Sequence, residues 1–172
     1  ITVRIYVAWS AGLRSTIHDA SRGRTVLIVD HASSADDRIR ISGGGKCNFT
    51  YLDIRYDKFI SKNPRFMASC LSRYTQWDFF DWIVSCGIMY HEKTLGQLFC
   101  DNSSTDILEM LNKAMTDAGV VLELNTSVNN IKRSLSFEIE LSTSFVTCVF
   151  LVIASGGKSI PKMGATGFGY KT

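Results

Sequence analysis

The sequence predicts an α/β fold built on a mainly parallel sheet, with strands near residues 2–8, 25–29 and 148–154. Three observations carry this. The strand candidates are near-continuous apolar runs, as expected of strands covered by helices on both faces. The first two are separated by a segment with helical spacing, and strand, helix and strand within about thirty residues make the crossover unit that joins parallel neighbours. The second run ends on Asp30, about 20 residues past a glycine-containing turn, where a dinucleotide-binding unit carries its ribose ligand.

The elements follow in order. Val3, Ile5, Val7 and Ala8 suit a buried strand. Ser10 can cap the next helix, whose apolar face is Leu13, Ile17 and Ala20, and Gly23 stands where a helix C-terminal glycine belongs. Thr25–Val29 is the second strand. Residues 64–86 turn helical, with Phe66, Cys70 and Leu71 on one stretch and Trp77, Phe80, Ile83 and Val84 on another, ended by Gly87; these aromatics are expected in the core. An extended segment at Ile88–His91 and a turn at Gly96 lead to Leu98–Cys100. Ser103 and Asp106 have the spacing of a capping box before a helix with Ile107, Leu108, Leu111, Ala114, Met115 and Ala118 inward, and Gly119 ends it. Val120–Leu124, Phe137–Leu141 and Phe145–Ala154 read as strands, the last nearly all apolar and so expected at the sheet centre.

The 172 residues, 45% hydrophobic and 20% charged, suffice for one domain with a core. The net charge of +3 comes from 19 basic and 16 acidic residues scattered without blocks, so no basic stripe tracks a phosphate backbone and nucleic acid is not an expected partner. No apolar run is long enough for a membrane span, no secretory leader precedes the first strand, and a cytoplasmic location is expected. Five widely spaced cysteines, Cys47, Cys70, Cys86, Cys100 and Cys148, without a Cys-x-x-Cys, predict reduced and mostly buried thiols and no metal site.

Residues 42–50, Ser-Gly-Gly-Gly-Lys-Cys-Asn-Phe-Thr, are the most informative stretch. Consecutive glycines imply unusual dihedrals or a close approach to the main chain, and Lys46, Cys47 and Asn48 add a cation, a thiol and an amide. The segment reads as a ligand cradle or, more plainly, as a surface turn. It is not a P-loop: Ile41 occupies the place of the required first glycine and Cys47 that of the magnesium-binding hydroxyl.

Gly43 to Thr50, the run His91-Glu92-Lys93 through Gly96-Gln97-Leu98-Phe99, and Ile153 to Lys162 with Gly164 to Tyr170 together resemble the amino-terminal part of the BaiN-like (HI0933-like) family of NAD(P)/FAD-dependent oxidoreductases. The resemblance covers essentially the whole chain. It implies a three-layer, Rossmann-like FAD domain with hydride transfer through a bound flavin, FAD as cofactor and NAD(P)H as reductant. Residues 1–172 would then be the amino-terminal portion of that domain, without the inserted substrate domain and the C-terminal FAD segment. By position, Ala11 and Gly12 would hold the pyrophosphate and Asp30 would meet the adenosine ribose, with His31, an exposed neighbour, also among the cofactor-binding positions. Ser42, Gly43, Gly44, Gly45, Lys46, Cys47 and Asn48 would wrap the cofactor on its far side, close to Gly12 and Gly156. The backbone of Val128 would meet the adenine, and Ala154, Ser155, Gly156 and Gly157 would form a second flavin-contacting turn. The resemblance leaves the catalytic residues and the small-molecule substrate unassigned.

One stretch departs from this pattern. A Gly-x-Gly-x-x-Gly fingerprint would need glycines where Val7 and Trp9 stand, and Gly12 alone is kept. Val7 tolerates positive φ poorly and Trp9 puts a ring where phosphate oxygens would sit. The chain by itself is therefore expected to be colourless and inactive. The other readings are a non-catalytic module of the same fold and a plain NAD-binding domain. Among the remaining candidates, Cys47 is either a redox thiol beside Lys46 or a packed side chain, His91 either titrates in a site or is a solvated turn residue, and His18 lies on the surface.

Overall fold

The computed structural model describes residues 3–7, 10–34 and 37–155. The chain divides into two compact units, one of residues 1–38 with 111–172 and one of residues 39–110.

The first unit carries the parallel sheet. Strands β1 (Val3–Val7), β2 (Thr25–Val29), β6 (Val121–Glu123) and β10 (Phe150–Ile153) run parallel in the order β10-β1-β2-β6. Helix α1 (Ser10–Ala20) connects β1 to β2. Leu13 and Ala20 are buried on it as the spacing predicts, and Thr16 joins them by donating its hydroxyl to the Leu13 carbonyl at 2.7 Å. Gly23, at φ +75°, ends the helix. Val26, Ile28 and Val29 are fully buried, each worth about 1.5–3 kcal/mol of removal from water. Val7 pairs with both Val29 and Ile153. It is an ordinary strand residue, so the conformational objection raised against it fails: a β-branched side chain suits extended backbone.

A second sheet of this unit is antiparallel, β7-β8-β9, from Val128–Arg133, Phe137–Leu141 and Phe145–Cys148. The sequence reading missed β7, whose apolar positions lack strict alternation and whose pairing with β8 is irregular between Val128 and Asn130. It also joined β9 and β10 into one central strand. The structure breaks this run at Val149, giving its first half to the antiparallel sheet and its second to an edge of the described parallel sheet, where Phe150 is exposed. An apolar run marks burial potential and does not say which sheet takes it.

The second unit holds the antiparallel sheet β3-β5-β4, from Asn48–Tyr51, Gln97–Cys100 and Tyr90–Glu92, with short helices α2 (Asp37–Ile41, which begins in the first unit), α3 (Ala68–Arg73) and α4 (Gln76–Ser85). Leu98, Phe99, Cys100 and Ile83 are buried. Phe66 and Trp77, aromatic residues expected in the core, are exposed instead. The α4 N-terminus carries a full capping box, Thr75 with Asp78. Helix α5 (Ser104–Asp117) runs across the boundary between the units. Its cap differs from the expected box, since the Ser103 hydroxyl accepts from the Thr105 N–H at 3.1 Å, one residue short of Asp106. Among the described residues no helix is long and apolar enough to cross a membrane.

Candidate functional site

In the first unit, register places the candidate residues. Ile153, Val7, Val29 and Glu123 pair in one row, so all four parallel strands end together. Asp30 follows β2 from that row, Ala154 and Ser155 follow β10, and α1, carrying Ala11 and the buried Gly12, begins three residues after β1. Carboxyl ends of parallel strands are where open α/β sheets bind ligands. Gly156 and Gly157 lie outside the described residues, as do Ala8 and Trp9.

Asp30 is laced to the loop before β7. Its N–H donates to the Glu123 carbonyl, its own carbonyl accepts from Thr126, and Asn125 donates to the Ala32 carbonyl, each at 2.9 Å. Asn125 takes φ +52° to make the bend, and Thr126 is buried beneath it. Val128 opens β7 two residues later, so the structure brings Asp30, His31 and Val128 to one loop pair. The Asp30 carboxylate is only 14% exposed. Its Oδ1 accepts from the Ala32 N–H at 3.0 Å and lies 3.3 Å from Nδ1 of the exposed His31. Among the described residues Oδ2 has no contact of this kind, so one oxygen stays available to a hydroxyl.

In the second unit, Ser42–Gly45 form a tight turn in which Gly43, Gly44 and Gly45 all have left-handed φ, between +59° and +87°. The Cys47 N–H donates to the Ser42 carbonyl at 3.0 Å and closes it. Cys47 itself has φ +48° and is buried. Burial pushes its thiol up from the usual range, a hydrogen bond from Ser42 opposing in part, so Cys47 is a packed thiol and not an activated one. The amide of Asn48, oriented to donate to the Thr50 carbonyl at 2.9 Å and the Leu98 carbonyl at 3.2 Å, pins the end of the turn to β3 and β5.

The turn rests on Phe99. A Cβ at Gly43 would stand 2.4 Å from Phe99 Cε1. Beside the turn, the Lys46 carbonyl accepts from the Cys100 N–H at 2.9 Å, and the Lys46 ammonium donates to the Asp101 carbonyl. The imidazole of His91 stacks near Phe99, with centroids 6.2 Å apart and planes 19° from parallel, and Lys93 Nζ lies 4.1 Å from the Phe99 ring centre. His91 Nδ1 is 2.6 Å from Asp101 Oδ1. Sequence reasoning missed this partner. Strand β4 pairs with β5 so that His91 faces Phe99, and the chain past Cys100 then brings Asp101 alongside. His18 is exposed as expected, and the described residues hold no metal-binding cluster.

The chain is 42% identical over 165 residues to the ribosomal RNA dihydrouridine synthase of Escherichia coli (strain K12), covering 95% of this chain and 41% of that protein. It is 38% identical over 169 residues to the protein of the same name from Haemophilus influenzae, covering 95% and 42%. It thus spans about two fifths of the length of these curated relatives. The backbone matches a flavocytochrome c3 fumarate reductase in its open conformation with a TM-score of 0.58 at 18% identity, over 94% of this chain and 34% of that one, a likeness of fold. The model of the HI0933-like protein Rossmann domain matches residues 2–172. A parallel sheet whose strand ends align beside Asp30 is the architecture such a domain requires, and this chain belongs to the HI0933-like family.

Proposed function

We propose that this chain is the cofactor-binding part of an FAD-dependent oxidoreductase that reduces uracil in ribosomal RNA, with a pyridine nucleotide as the source of electrons. The observation that carries it is the 42% identity to a ribosomal RNA dihydrouridine synthase across nearly all of this chain, joined to an Asp30 carboxylate held at the strand ends with one oxygen uncontacted among the described residues. Bound FAD would supply hydride chemistry. In this reading Asp30 accepts from the adenosine ribose, the Val128 backbone meets the adenine, the first turn of α1 at Ala11 and Gly12 takes the pyrophosphate, Ala154 to Gly157 are flavin contacts, and in the second unit the Ser42 to Asn48 turn is a further cofactor contact. The glycine turn supports this fit: a Cβ at Gly44 would meet nothing within 4 Å, so the main chain there is bare to an incoming group. RNA is the substrate in this reading although the chain's +3 charge is scattered, and the RNA-tracking surface then falls to parts of the relatives beyond this two fifths.

The test is a fluorescence titration with FAD, followed by anaerobic reduction with NADPH and reoxidation with a ribosomal RNA fragment, using protein made at the length of the relatives. Asp30→Ala should weaken FAD by about tenfold or more, as loss of a charge-assisted hydrogen bond is worth about 1.5–3 kcal/mol. FAD affinity unchanged in that variant would remove Asp30 from the site. Reduced flavin that RNA does not reoxidise would remove the substrate assignment.

A further inference from the structure

We propose that His91, oriented by Asp101, donates the proton that completes reduction of the base; this rests on the function proposed above. Three observations converge on it. The first is geometry: Nδ1 of His91 is 2.6 Å from Asp101 Oδ1, which leaves Nε2 as the ring nitrogen turned to other partners, the arrangement in which a carboxylate orients an imidazole for proton transfer. The second is location. His91 lines a cleft of about 420 Å³ with Val84, Ile88, Met89, Tyr90 and Glu92, within the size range of small-molecule sites, and its side chain is 39% exposed. The third is connection to the glycine turn. Phe99 touches Gly43 on one side and carries His91 near its face, while Lys46, inside the turn, is bonded through its carbonyl to Cys100 and through its ammonium to Asp101. The turn assigned to the cofactor and the His91–Asp101 pair are therefore parts of one packed piece.

The chemistry needs such a group. The C6 carbon of uracil is conjugated to the C4 carbonyl, so hydride from reduced flavin adds there. The π electron pair of the C5–C6 double bond moves to C5, which must take a proton. Imidazolium Nε2–H of His91 supplies it and returns to neutral imidazole with Nδ1–H still donated to Asp101. The two electrons come from the flavin, which a pyridine nucleotide re-reduces. The charged groups around His91 are Asp101, Glu92 and Lys93, with Lys46 on the far side of Asp101. Lys93 lies against the Phe99 ring and Lys46 is bonded to the Asp101 carbonyl, which leaves His91 as the group here whose ring a carboxylate orients.

Two measurements test this. Long-range proton–nitrogen NMR on the 172-residue chain should show neutral His91 as the Nδ1–H tautomer, and Asp101→Asn should shift it toward Nε2–H. A wild-type Nε2–H tautomer overturns the orienting role of Asp101. In FAD-loaded protein of the relatives' length, His91→Gln should keep the flavin spectrum and the rate of reduction by NADPH while slowing reoxidation by ribosomal RNA about 100-fold or more, the usual contribution of a positioned acid. Asp101→Asn should slow the same step with KM for RNA unchanged. A His91→Gln protein that reoxidises at the wild-type rate overturns the proton-donor role and leaves the function standing. Wild-type protein that reduces no RNA overturns the function, and the proton's destination with it.

Discussion

Phe99 occupies the space that a side chain at Gly43 would need, its Cε1 lying 2.4 Å from where a Cβ would stand. Gly44, next along the turn, has a comparable φ of +69° and open space around it. The two glycines therefore separate conformational strain from steric conflict. Gly44→Ala should destabilise by about 1–2 kcal/mol, the left-handed penalty alone. Gly43→Ala should add about 1–3 kcal/mol for overpacking against Phe99. Urea unfolding of both variants checks this, and equal losses would mean that Phe99 moves aside freely.

The 172-residue chain should purify colourless, with Trp9 as one contributor. Val7 sits in β1 paired on both sides and stores no strain. A ring where the fingerprint glycine would stand should weaken FAD by about 1–3 kcal/mol, or about 5- to 150-fold. Trp9→Gly in protein of the relatives' length should recover that factor in an FAD titration, and Val7→Gly should recover none. Stoichiometric FAD in the unaltered chain would show that Trp9 is no obstacle to the cofactor.

Thiol reactivity should divide by burial. Cys70 and Cys86 are exposed, whereas Cys47, Cys100 and Cys148 are buried. Burial chiefly pushes Cys100 up to about 12, with Cys47, Asp106 and Asp101 adding to it. Native alkylation should label Cys70 and Cys86 and spare the other three until denaturant is added. The stability consequence has a definite sign. An unfolded thiol ionises near 9 while folded Cys100 holds its proton to about 12, so stability falls between those values, by up to about 1.4 kcal/mol per pH unit for one thiol. Unfolding midpoints that stay flat between pH 9 and 11 would contradict it.

Thr75 should be the most sensitive helix cap in the second unit. Its hydroxyl accepts from the Asp78 N–H at 3.3 Å, while the Asp78 carboxylate accepts from the Thr75 N–H at 2.6 Å. Thr75→Ala should lose about 1 kcal/mol, and Thr75→Ser should lose little. The hydrogen bonds from Thr75 lower the Asp78 carboxyl below its ordinary 3.8. That contribution is present above 3.8 and lost as pH falls through the lower folded value, so helix content followed by circular dichroism should show a larger Thr75→Ala difference at pH 6 than in strong acid, where only the bond from the Asp78 N–H remains to be lost.

The parallel sheet was legible because its strands combine unbroken apolar runs with a helical crossover and a terminal acid, signals that local chemistry carries. The glycine turn was legible for the same reason, since three adjacent glycines are a backbone statement. What escaped were relations set by register. The pairing of His91 with Asp101 depends on where β4 stops against β5, and strand β7, with only Val128 and Ile131 apolar among its ladder positions, has little pattern to read. Phe66 and Trp77 misled because hydrophobicity states a preference for burial without naming what does the burying.

Val29 is packed in a single buried cluster with Ile139, Leu141 and Cys148. Those three residues belong to β8 and β9, so the last core side chain before Asp30 is clamped by strands encoded more than a hundred positions downstream. The Asp30 carboxylate is thereby conditional on the completion of the antiparallel sheet: a nascent chain that has emerged only as far as α5 holds Asp30 and none of the wall against which it is set.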